Sequence, residues 1–515
     1  MLIMKNLYKF LILSGLIMLG VSCTEDFVDL TNPNDHTTGS FWKNDEDAVR
    51  GINSVYMALY YDGLYMRLYP WLMDVRADDM RNTSPWWITD LSNYVTSPDN
   101  PCYINTWQAT YAGIFWANQV LHYVPGIDMD DALKARIIGE AKFLRGLYHY
   151  HLVIAYRNIP VITDLPANSD EFFPSQSTPE EAWAQVIQDF TDAMEALPVK
   201  EDYAPADLGR ATRGAAAGYL AKSYMINRRW SEAEPVLKAI IDGDYGNYSL
   251  IDNYRENFTE ADENNSESLF EVQFEREVGG TFLGWVGDPQ LDWSKTSGKA
   301  RTYAPLGYGY GDITPTDWIY NEFMEELTEN DSIDPRAKAS MFFDYPGSLV
   351  YGTPFLQATS LPNYVHVRKY LNDDLYPDEI EWRSGINERI LRYSDILLLY
   401  AECLNELNRT SEAYPYIQEV RDRAELRDLA VVRPNMTQEE MRDQLDHERA
   451  LEFCFEAQRY VDLVRWGYFD DPAKVTMLIG RDEEFANWTE GREYLAIPPT
   501  EVDVNSNLVQ NPGWE

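Results

Sequence analysis

Residues 217–240 read AGYLAKSYMINRRWSEAEPVLKAI, and residues 397–420 read LLLYAECLNELNRTSEAYPYIQEV. In the first, Ala217, Leu220, Ala221 and Tyr224 are followed by Ala233, Leu237 and Ile240. In the second, Leu397, Tyr400, Ala401 and Leu404 are followed by Ala413, Ile417 and Val420, at identical offsets. Apolar residues three and four positions apart share one face of a helix, so each stretch predicts two helices joined by a short turn. Ala221 and Ala401 on the first helices, and Ala233 and Ala413 on the second, are small where two antiparallel helices must approach closely.

This spacing matches the tetratricopeptide template, with a small residue on one helix and an alanine 12 residues later on the next. The template's Gly and Pro positions are not all filled, and generic antiparallel helix hairpins are the alternative. Residues 132–156 read as half of another pair. Working outward, the 3.6-residue period predicts helices near 44–61, 103–124, 130–155, 179–196, 211–227, 230–242, 315–328, 388–407, 411–425 and 437–466. On the last, Ala450, Phe453, Cys454, Ala457, Val461 and Val464 form one stripe. Glu456–Arg459, Arg459–Asp462 and Asp462–Arg465 are i,i+3 neighbours able to pair, and their expected role is to tie this helix to its neighbours. A short strand is expected at Ser268–Glu275. The fold class is mainly α with few short strands.

The chain has 515 residues, 84 acidic and 43 basic, for a net charge of −41. Such a surface repels phosphate backbones and anionic lipid, which argues against nucleic-acid and peripheral membrane binding. The first residues read as a targeting segment: Lys5 and Lys9 precede the apolar run Phe10–Val21, too short to span a bilayer. Leu19-Gly20-Val21-Ser22-Cys23 resembles a bacterial lipobox, although Gly20 stands where Leu is usual. The expected organisation is a lipoprotein signal peptide over 1–22, lipidation at Cys23, and a single domain over 23–515. Thr24-Glu25-Asp26 then resembles a surface-export signal. Cys102, Cys403 and Cys454 are too widely spaced for a disulfide framework or a zinc site, and the last two are expected to be buried.

Catalytic motifs are missing. The six histidines form no HExxH, and His149 and His151 are two apart, off a common helix face. There is no GxSxG elbow and no Walker loop, and Gly279–Gly284 opens no convincing helix. No pair of acids is singled out for glycosidase chemistry. Asp242-Gly243-Asp244 and Asp128-Asp130-Asp131 sit at a helix end and a helix start, where turn and capping roles are commoner than calcium binding. No cofactor and no metal is expected.

Glu448-Arg449-Ala450-Leu451-Glu452-Phe453, followed by the run from Glu456 to Gly467, resembles the signature helix of SusD/RagB-like outer-membrane lipoproteins. Tyr494–Val502 and Gln510–Trp514 resemble that family's C-terminus, Arg389–Glu402 its preceding helix, and Glu267–Val272 its central strand. The motifs span essentially everything after Cys23 in the expected order. Ala457 departs from the family's common Gly, and Arg157 from the Gly usual before Ile159-Pro160. The resemblance implies a SusD-like fold with tetratricopeptide-like helix pairs, anchorage in the outer membrane facing outwards, and a SusC-like TonB-dependent transporter as partner. It also implies a glycan oligomer as ligand, bound by long loops. A scaffold or lid subunit without ligand affinity, and a secreted glycan-degrading enzyme, are the alternatives.

Two long insertions, 62–102 and 277–314, carry the aromatic and polar residues that sugar binding needs: flat rings for the C–H faces and polar groups at the edges. From the first, the candidate ligand-binding residues are Trp86, Trp87, Asp79, Arg81 and Asn82. From the second they are Trp285, Trp293, Tyr308 and Tyr310. Adjacent side chains of an extended segment point opposite ways, so Trp86 and Trp87 are not expected to stack on one sugar together.

Overall fold

A computed structural model describes residues 41–84, 89–277, 295–361, 363–379 and 382–514. Cys23, Trp86, Trp87, Trp285 and Trp293 lie outside the described residues. The chain is mainly helical. The elements that frame the site are α1 (Asp45–Met57), α2 (Pro101–Tyr123), α3 (Asp131–Tyr156), α4 (Pro179–Ala196), α5 (Arg213–Ile226), α6 (Trp230–Ile241), α7 (Asp317–Met324), α8 (Tyr393–Glu406), α9 (Thr410–Arg423), α10 (Gln438–Phe453) and α11 (Arg459–Arg465). Short strands are β1 (Met80–Asn82), β2 (Ser268–Val272), β3 (Ile313–Pro315) and β4 (Glu388–Arg392).

Both predicted hairpins form, as α5–α6 and α8–α9, and α6 also packs on α8. Ala217, Ala221, Ala233, Ala401 and Ala413 are all fully buried, as the close-approach argument requires. The half-pair over 132–156 is α3, which packs between α2 and α4. At the α2–α3 crossing a Cβ on Gly113 would come within 2.5 Å of the Tyr148 ring, so only glycine permits that approach. Side chains satisfy the first-turn amides that a helix leaves unpaired. Asn44 caps α1, Asp130 caps α3, and Thr178 with Glu181 and Thr437 with Glu440 form reciprocal capping boxes on α4 and α10. Asp130 thus has a capping role, and Asp242 at the end of α6 pairs with Lys238. Cys102, Cys403 and Cys454 are buried free thiols.

Two helix boundaries differ from the pattern. Residues 388–392 are strand: β4 pairs antiparallel with β2 across an irregular register, and every residue of both strands is buried. Burial on both faces removes the alternation that marks a half-exposed strand, so the run reads as helix. The stretch 437–466 is not one helix but two, α10 and α11, broken at Cys454–Gln458. Phe455 and Ala457 there have φ of 64° and 58°. Their amides donate to buried carboxylates, Phe455 N to Asp79 Oδ2 at 3.0 Å and Ala457 N to Asp74 Oδ1 at 2.6 Å. Those acids replace the helical acceptors, and they are nearly 400 positions away in the chain, out of reach of a local pattern. Arg157, just after α3, has φ 59°. Both positions that depart from the family's glycine are therefore left-handed, which explains the glycine.

The charges of the signature stretch are buried and paired. Arg392 of β4 reaches Glu267, Glu452 and Glu456 at 2.5–2.9 Å. Arg423 bonds Glu267 and Glu452, and Arg449 bonds Asp395 and Asp462. Arg465 bonds Glu402 and Asp462. Of the three expected i,i+3 pairs only Asp462–Arg465 forms. Glu456 instead meets Lys369 and Arg392, and Arg459 meets Asp78 and Asp446. Burial raises the Glu452 carboxyl, but Arg423, Arg392 and Arg336 outweigh it and hold the group well below the usual range.

Candidate functional site

The two insertions meet. β1 pairs antiparallel with β3, with Arg81 opposite Thr314. Thr83 N and Ser84 N both donate to the Asp312 carbonyl, at 2.8 and 3.2 Å, and Thr83 Oγ1 donates to Gly311 O. The segment 80–84 and the segment 310–315 are thus one surface.

Beside it runs a stack of rings and cations that begins in the core and ends in solvent. Trp71 is buried, and the Arg67 guanidinium lies 5.2 Å from its ring centroid and 5.2 Å from that of Trp382. Asp62 holds Arg67 by two hydrogen bonds of 2.8 and 2.5 Å. Trp382 is half-buried and meets Tyr310 at 5.2 Å with a 50° tilt. Tyr310 is 43% exposed, with the Arg301 guanidinium 4.7 Å from its ring. Arg301 is fixed by donating to the carbonyls of Glu379 and Tyr308. Cation–ring contacts of this kind hold each plane in place without using hydrogen-bonding edges. An exposed ring so supported offers a flat apolar face edged by guanidinium donors, the chemistry that takes the C–H face and hydroxyls of a sugar. Asp312, two residues on from Tyr310, has its carboxyl raised by burial.

The remaining described candidates are placed differently. Tyr308 is half-buried and stacks on Tyr351 at 4.6 Å and 10°; Tyr351 donates to Glu379. Arg81 is partly exposed, its guanidinium 3.7 Å from Asp482. Asn82 is buried and accepts from Ser84 N at 2.6 Å. Asp79 is fully buried against Phe455; burial, with the charges of Asp74 and Asp78, pushes its carboxyl up to about 8. Of the described candidates, the structure thus brings Tyr310 and Arg81 to the surface. Trp382 and Arg301 escaped the sequence reading. Trp382 is a lone Trp between charged residues, Glu381 and Arg383, remote from both insertions in the chain. A large ring in a polar context was the one signal available. His149 and His151 take structural roles: His149 Nε2 accepts from Ile162 N, and His151 bonds the Tyr65 hydroxyl at 2.8 Å. Burial lowers them to about 4 and 3, so both are neutral at pH 7.

Comparison with known proteins agrees with this architecture. Residues 266–514 match the model of the SusD family, and residues 26–225 match a SusD-like model described as starch-binding associating with outer membrane. The chain belongs to the SusD/RagB-like family. SusD-like protein P25 of Formosa agariphila is 26% identical over 513 residues, covering 92% of each chain. Among solved structures, a SusD superfamily protein from Bacteroides vulgatus superposes with a TM-score of 0.80 at 26% identity, over 92% of this chain and all of the other. A laminarin-binding SusD-like protein superposes with a TM-score of 0.75 at 25% identity, again over 92% of this SusD-like chain and 100% of its own.

Proposed function

We propose that this SusD-like protein is a cell-surface glycan-binding lipoprotein, anchored through Cys23 in the outer membrane, that captures oligosaccharides and delivers them to a SusC-like TonB-dependent transporter. It acts by binding, without making or breaking bonds. The observation that carries the reading is Tyr310, an exposed ring held between Trp382 and Arg301 on the surface where the two insertions pair. A relative of the same fold that binds laminarin supports a glycan as the ligand class. In this reading Tyr310 is the stacking platform, with Trp382 beside it and Arg301 and Arg81 at its edge. Trp86, Trp87, Trp285 and Trp293, from the same two insertions in sequence, are further ligand contacts in this proposal. Asp79, Asn82 and Tyr308, the remaining candidates, are buried or half-buried in the same two insertions.

Titration calorimetry against soluble polysaccharides, laminarin among them, tests this. A saturable heat with one glycan class and no release of reducing ends is expected. Absence of heat with every glycan, together with recovery of the transporter when the protein is pulled from outer membranes, would mean a scaffold role instead. Reducing-end release would mean an enzyme.

A further inference from the structure

Away from the glycan surface, α7 and α10 place two carboxylates and an imidazole together. Glu322 lies in the last turn of α7, Glu325 is the residue that ends it, and His447 projects from α10. One ligand atom from each lies within 4.8 Å of the other two. His447 Nδ1 is 2.8 Å from Glu322 Oε1. Glu325 is exposed, and among the described residues its carboxylate has no ion pair or hydrogen bond. The nearby cation, Arg336, is already committed to Asp334, Glu448 and Glu452. Two carboxylates therefore share one imidazole, and the group is short of positive charge.

We propose that Glu322, Glu325 and His447 form a three-ligand site for a divalent transition metal of the zinc type. The donor set decides the class. One imidazole nitrogen and two carboxylate oxygens suit zinc and its neighbours, whereas calcium takes 6–8 oxygens. With metal–ligand bonds of about 2.0–2.2 Å, tetrahedral ligand atoms are about 3.4 Å apart. The His447–Glu322 contact opens slightly to reach that, and the Glu325 arm, free and exposed, closes the rest. The fourth position is left to water. The scaffold holds the histidine in place: the next residues on α10, Glu448 and Arg449, are locked by Arg421, Asp395 and Asp462. Metal binding there staples α7, which follows β3 directly, to α10.

The test is calorimetry and thermal unfolding of the chelator-stripped protein with zinc chloride, and separately with calcium chloride. One equivalent of zinc is expected to bind and raise Tm, with calcium at least tenfold weaker. Glu325→Gln and His447→Gln should each weaken zinc at least tenfold. Glu325→Gln removes no bond within the protein, so its melting temperature in chelator should match wild type. It keeps the test valid if His447→Gln folds poorly. No saturable zinc heat, zinc binding untouched by Glu325→Gln, or calcium as tight as zinc would each overturn the assignment.

Discussion

Around Glu452 and around Tyr310 the same residue types serve opposite ends. In the first region Arg392 lies 4.8 Å from the Phe453 ring and spends its guanidinium on three buried carboxylates. In the second, Arg301 lies over Tyr310 and is tied to backbone carbonyls, and the ring remains 43% exposed. An ion network that closes on itself fixes a geometry and offers nothing outward. A cation–ring stack that stops at the surface leaves a face to offer. Pairing, not composition, separates scaffold from site in this acidic chain.

Breaking the network is expected to give the largest effect. Arg392→Met removes the cation shared by three buried carboxylates and leaves them only Arg423, Arg336 and Lys369, and removing one partner of such a buried set costs about 3–5 kcal/mol. Denaturant unfolding should show that loss. A midpoint within error of wild type would mean that the network is not what holds β4 to α10.

Next is Asp79, buried just before β1. Its folded carboxyl is raised to about 8 from an ordinary value of 3.8. The folded chain therefore binds the extra proton between about pH 4 and 8, and the contribution of Asp79 to stability declines as pH rises through that window. Asp79→Asn removes this dependence, and its stability should fall less steeply between pH 6 and 8, by about 1.4 kcal/mol per pH unit at most. Asp446 behaves in the opposite sense. Burial raises it, but Arg459 and Arg481 prevail and hold it at about 2, so its contribution is lost as pH falls from about 4 toward 2. Parallel pH curves for Asp79→Asn and wild type would contradict the first assignment.

The smallest effect sharpens the scaffold side. Ala457 has φ 58°, a conformation costing a non-glycine residue about 1–2 kcal/mol, part of which glycine returns as lost unfolded-state restriction. Ala457→Gly should stabilise by about 0.5–1 kcal/mol, read as a higher denaturation midpoint. Destabilisation would show that the methyl group's packing outweighs the strain.

How much was legible follows from the same contrast. The helix pairs were visible because Ala221, Ala233, Ala401 and Ala413 repeat a local spacing. The break after Phe453 was not, because its cause is Asp74 and Asp79, brought in from far along the chain. The two insertions could be identified by their aromatics, and Tyr310 with them. Asp79 was indistinguishable from a surface acid until its burial was known. Trp382, which completes the stack, has no neighbour in sequence to mark it.

The most direct test of the account compares glycan binding by wild type, Tyr310→Ala and Trp382→Ala in calorimetry, with Tm measured on each. Stacking contributions of about 0.5–1.5 kcal/mol predict that Tyr310→Ala loses up to about tenfold in affinity while its Tm stays near wild type. Trp382→Ala should lose at least as much, since it removes the ring that orients Tyr310. Unchanged affinity in both, for a glycan that wild type binds, would contradict the claim that this stack is where the sugar rests.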